Sequence, residues 1–137
     1  MKTSRLFLCA IGLLAAPCSL AGLPAEMEFV TVGDVGNPPD PLTGDQYGSV
    51  DYRYRIGKYE VTNREYVCFL NSVDPLGGNL KGLYEPAMSG VDFDSGKPFG
   101  QKYEVIQGRA EVPVGYIHNT TAFRFINWLN SGDTEIG

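Results

Sequence analysis

Cys68 and His118 are the side chains best suited to covalent or metal chemistry, and neither has the company that chemistry needs. Paired thiolates suit Cu(I), but the other two cysteines, Cys9 and Cys18, both lie within the first 21 residues. A lone cysteine on a core-forming helix reads as a small buried hydrophobe. His118 is the only histidine, so no site built on two or more imidazoles exists in this chain, and general acid–base use has no identifiable partner. It reads as a polar residue at a strand-to-helix turn. The sequence therefore names no catalytic residue and no cofactor-binding residue.

Oxygen ligands are more plentiful. Asp34, Asp40, Asp45 and Asp51 could gather around Ca²⁺, as could Asp92-Phe93-Asp94-Ser95-Gly96, a partial echo of a calcium loop. Neither set has full ligand spacing, and solubilising loop acids are the simpler reading. Calcium stays open as a cofactor. Asn119-Thr120-Thr121 has the form of a glycosylation acceptor and equally of a helix start. Tyr47, Tyr84 and Tyr103 are expected in loops, where phenol rings can stack on a sugar or a peptide.

The elements that position these residues begin after an address. Lys2 and Arg5 precede an apolar run from Leu6 to Ala16, and Ser19-Leu20-Ala21 offers the small residues of a cleavage site. Residues 1–21 are expected to be a signal peptide, with Gly22 the new N-terminus and a secreted or periplasmic destination. Pro17 stands before Cys18 where a lipidation motif wants Gly or Ala. Removal leaves 116 of the 137 residues, with 9 basic and 16 acidic side chains and Cys68 as the sole cysteine. On that reading no intrachain disulfide forms. The acidic balance disfavours nucleic acid, because phosphate neutralisation needs clustered cations. No membrane contact is expected once the signal is gone.

Seventeen Gly and nine Pro point away from a helical bundle and toward a loop-rich α+β fold. Met27 to Val32 alternates and predicts a strand; 33–48 is loop. Gly48 to Lys58 predicts a half-buried strand with Val50, Tyr52, Tyr54 and Ile56 on one side. Thr62 and Glu65 have capping-box spacing, and Tyr66, Phe69, Leu70 and Val73 form the apolar stripe of the helix that follows. Pro75 and Gly77-Gly78 stop it, and Asn71 suits the turn that leaves it. The stretch 77–108 reads as loop with a short strand at Tyr103 to Ile106, and Pro113 to Ile117 as an extended approach. A second helix is expected from Thr120 or Thr121 to Asn130, with Ala122, Phe125, Ile126 and Leu129 inward and Gly132 as C-cap.

Three of these stretches together resemble the formylglycine-generating-enzyme family, also called sulfatase-modifying-factor domains. The first runs Tyr54-Arg55-Ile56-Gly57-Lys58-Tyr59-Glu60-Val61-Thr62-Asn63 and continues through Tyr66, Phe69, Leu70 and Asn71. Phe29-Val30-Thr31-Val32-Gly33-Asp34 is similar to the strand and turn before it. Val112-Pro113-Val114-Gly115-Tyr116-Ile117 and Ala122-Phe123-Arg124-Phe125-Ile126-Asn127-Trp128-Leu129 are similar to the later segment. The family's usual Ser-Trp-x-Asp is replaced by His118, Asn119, Thr120 and Thr121, so the N-cap chemistry must differ, with Asn119 or Thr120 expected to cap.

The resemblance implies a C-type-lectin-like α+β fold, with 22–137 forming the N-terminal part of such a domain. The family's copper-binding cysteines and much of its calcium coordination lie further on than this part, so copper enters only with a downstream cysteine pair. Two readings follow. One is an exported, non-catalytic binding or scaffold module contacting protein or glycan. The other is the N-terminal fragment of a copper-dependent formylglycine-generating oxidase acting on sulfatase cysteines. Both carry the expectation that the helices present apolar faces without partners.

Overall fold

The first helix, α1 (Asn63–Val73), starts where its sequence says it must. Thr62 is extended at φ −82° and accepts from the Glu65 N–H, while the Glu65 carboxylate accepts from the Thr62 N–H at 2.7 Å. Two donors that helix geometry orphans are thereby satisfied. Tyr66, Phe69 and Leu70 are almost fully buried, so this face is covered rather than left without a partner. The computed structural model describes residues 27–131, so the expected signal at 1–21 and the Gly132 cap lie outside the described residues.

The architecture is a small α+β arrangement of two helices and two antiparallel two-stranded sheets. β1 (Phe29–Val32) pairs with β2 (Tyr54–Gly57) in the register Val30 to Ile56. β3 (Val91–Phe93) pairs with β4 (Tyr103–Val105), Asp92 opposite Glu104. The loop between β1 and β2 holds a single 3-10 turn at Pro41–Thr43, capped by the Asp40 carboxylate. β2 is shorter than the alternation in Gly48 to Lys58 predicts, and its side chains are not half-buried. Tyr52, Tyr54 and Ile56 are all exposed, and of the four residues on the expected face only Val50 is half-buried.

The second helix, α2 (Asn119–Ser131), is turned relative to its expected stripe. Thr121, Phe125 and Trp128 are buried, while Ile126 is 49% exposed. Phe125 meets Phe69 edge-on at 5.3 Å and Trp128 meets Phe69 at 5.5 Å, so the ring of Phe69 selects the line of α2 that faces inward. The cap differs too. Ala122 N–H donates to the His118 carbonyl at 2.9 Å, which makes His118 the N-cap and places Asn119 and Thr120 inside the first turn.

With so little regular structure, asparagine amides take over the work of ladders. Asn63, 2% exposed, donates to the carbonyls of Arg109 and Val112, both at 2.9 Å. A Cβ on Gly90 would overlap that amide, so glycine is required there. Asn71 does not make the turn that leaves α1; it stays helical, is buried, and bonds the main chain of β4. Asn79, at φ 48°, accepts from the N–H groups of Leu83 and Tyr84 and donates to the Tyr84 carbonyl. Buried loop backbone is thereby paired, as burial demands.

Candidate functional site

The sequence candidates are dispersed, and most have structural work. Cys68 is half-buried beside the core and is disulfide-bonded, its partner lying outside the described residues. The expectation of Cys68 as the sole cysteine concerns the chain without residues 1–21; with those residues present the bonded sulfur is no longer a thiol for nucleophilic or copper chemistry. His118 is exposed and caps α2 through its main chain.

Among the described residues, no three or more His, Cys, Asp or Glu side chains converge as metal ligands do. Asp40 caps the 3-10 turn. The Asp94 carboxylate accepts from Gly96 N–H at 2.7 Å. Lys102 places its ammonium on the carbonyls of Ser95 (2.7 Å) and Lys97, so the loop echoing a calcium site closes around a side-chain cation.

The tyrosines divide. Tyr47 is exposed as expected. Tyr103 is buried on β4 and Tyr84 half-buried, and with Phe93 they form an aromatic cluster at centroid distances of 5.3–6.0 Å. The Tyr103 hydroxyl donates to the Asp74 carboxylate, which also accepts from Gly78 and Asn79 N–H. Burial first, then that hydrogen bond, pushes the Tyr103 phenol well above its ordinary range. Burial alone does the same to Tyr66, whose hydroxyl donates to the Leu83 carbonyl at 2.5 Å. These phenols hold the core together.

What remains accessible is a groove of about 790 Å³ between the β1–β2 pair and α2. Its apolar wall comes from Phe29, Ile56, Ile126 and Leu129, and its rim from Arg55, Lys58, Tyr59 and Glu60. The lining is contiguous from Arg55 to Val61, whereas on the side of the first strand it takes Phe29 of β1 and Met27 just before it. Side chains of a strand alternate between faces, so the lining by Arg55, Ile56 and Gly57 in succession brings both faces of β2, at its C-terminal end, to the groove.

Charge is uneven around it. Lys58 pairs with Glu28 at 2.7 Å, and that hydrogen bond, with a smaller one to Tyr59, raises the lysine above its usual range. A second cleft of about 460 Å³, beyond Tyr59, collects Glu28, Glu60, Glu65 and Glu111 around Arg64, which pairs with Glu111 at 2.5 Å. Arg53 and Arg55, by contrast, have no carboxylate in ion-pair contact among the described residues. Arg55 instead stacks over the Phe29 ring at 4.7 Å. Sequence reading passed over this pair, although the run Tyr52-Arg53-Tyr54-Arg55-Ile56 carries the signal: cations on one strand face, apolar groups on the other.

Comparison with family models, with curated proteins and with solved structures gives no match. Among the described residues, no helix is long and apolar enough to cross a membrane.

Proposed function

We propose that this chain is an exported binding module of the formylglycine-generating-enzyme-like type, non-catalytic in itself, which contacts a protein or glycan partner through the groove between β1–β2 and α2. The observation that carries the reading is that groove. It keeps Ile126 (49%) and Ile56 (52%) accessible beside a covered aromatic core. Exposed apolar groups rimmed by charge are the usual anatomy of an interaction surface. The three stretches quoted above support the family and the expected C-type-lectin-like fold, and the signal-like pattern of residues 1–21 supports a secreted or periplasmic location.

The test is to array peptides and glycans against the full chain and against Ile126→Asp. Ligands retained by the parent and lost by the variant support a binding module at this groove. Equal retention by both proteins moves the surface elsewhere. Incubation with Cu(I), O₂ and a cysteine-containing sulfatase peptide addresses the oxidase reading: an aldehyde product would overturn the non-catalytic assignment.

A further inference from the structure

We infer that the free edge of β2 accepts an extended peptide of alternating acidic and apolar residues as a third strand. This rests on the binding-module reading and specifies the partner's chemistry. The argument begins with the ladder. Lys58 N–H donates to the Glu28 carbonyl at 2.9 Å, and the register sets Val30 opposite Ile56 and Val32 opposite Tyr54. Hydrogen-bonded and non-bonded pairs alternate in an antiparallel sheet. The main-chain groups of Tyr54, Ile56 and Lys58 therefore turn toward β1, and those of Arg55 and Gly57 turn away. No other described backbone group bonds them. Arg55 and Gly57 both line the groove.

The side chains then specify the guest. Thr31 lies opposite Arg55, placing Arg55 on the Phe29 face. Arg53 continues that face across from Gly33, its Nε 3.9 Å from where a Gly33 Cβ would stand. The opposite face presents Tyr54 and Ile56, 38% and 52% exposed, with Val30 beside them. A strand added to this edge sets alternate side chains beside two guanidiniums and beside an apolar strip. Carboxylates suit the first, since guanidinium and carboxylate match in charge and planar geometry. Aliphatic groups suit the second. In a chain with 16 acidic and 11 basic residues, two arginines on one strand face with no carboxylate in ion-pair contact among the described residues are a charge-complementary feature for an acidic partner. Main-chain bonds give such a complex its affinity, and the alternating side chains its selectivity.

The experiment uses the full chain and three fluorescein-labelled peptides: alternating Glu and Val, alternating Lys and Val, and the Glu–Val peptide N-methylated at every second residue. Fluorescence polarisation at low salt should show saturable binding of the Glu–Val peptide, weakened as salt rises. Arg53→Glu combined with Arg55→Glu should weaken it about tenfold or more, the scale of losing two favourable charge contacts. N-methylation leaves charges and side chains in place but removes edge donors, so it should abolish binding even if the double variant folds poorly. No binding of the Glu–Val peptide, equal binding of the Lys–Val peptide, or indifference to N-methylation would overturn the inference. If in that case other ligands are still captured and lost in Ile126→Asp, the module reading stands and only the acidic strand fails.

Discussion

The amide of Asn71 and the main chain of Tyr103 bind each other twice: Nδ2 donates to the Tyr103 carbonyl at 2.8 Å, and the Tyr103 N–H donates to Oδ1 at 3.0 Å. Both residues are buried, so this exchange ties α1 to β4 as a strand partner would. Asn71→Leu leaves a donor and an acceptor without water or protein partners. Each such group costs about 1–3 kcal/mol, so urea denaturation should show a loss of about 3 kcal/mol or more. A loss below about 1 kcal/mol would mean that the two elements are held chiefly by apolar packing.

Asn63 and Gly90 form a second tight relationship, because the amide occupies the space a Cβ on Gly90 would need. Gly90→Ala should therefore displace the amide from the carbonyls of Arg109 and Val112. Asn63→Ala loses those bonds but vacates the space. The two substitutions should be strongly non-additive, with the double variant more stable than the sum by about 1–2 kcal/mol. Additivity in a thermodynamic cycle would place the alanine methyl somewhere other than against Asn63.

Local signals were legible in the sequence and tertiary choices were not. Thr62 and Glu65 specify the start of α1 through contacts three residues apart, and the helix begins there. The apolar residues of α2 allow two inward lines, one through Ala122 and Ile126 and one through Thr121 and Trp128, and the choice belongs to Phe69 on another helix. β3 is three residues long and exists because β4 pairs with it, so periodicity cannot reveal it. Asn71 has turn propensity, but its amide finds β4, which lies 32 residues away in sequence. The groove was hidden for the same reason. Ile56 and Ile126 read as core, and only the position of α2 leaves them at the surface.

That difference between the two lines of α2 is measurable. Phe125 touches Tyr66, Phe69 and Trp128, and truncating a buried phenylalanine costs about 3–5 kcal/mol. Ile126→Ala, at a half-exposed position, should cost about 1 kcal/mol or less. Equal losses in parallel denaturation curves would restore the stripe through Ala122 and Ile126 as the buried face.

Alkaline pH should loosen the fold through its buried phenols. Tyr66 and Tyr103 are both raised above the ordinary tyrosine value of 10, chiefly by burial. Below about pH 10 these phenols are protonated in both folded and unfolded chains, so their contribution to stability is fully present. Above it the unfolded chain releases their protons while the folded chain retains them, so the unfolded state gains and stability falls. Lys58 and Lys97, raised by their partners Glu28 and Glu104, act in the same direction as they lose their protons. Tyr103→Phe isolates one phenol: it removes the hydroxyl that bonds Asp74, lowering stability at neutral pH but flattening the decline above about pH 10. Urea midpoints measured from about pH 8 to about pH 11.5 should trace both effects. A midpoint constant to the top of that range, or a parent and variant falling with equal slope, would show that these phenols ionise as freely in the folded chain as in the unfolded one.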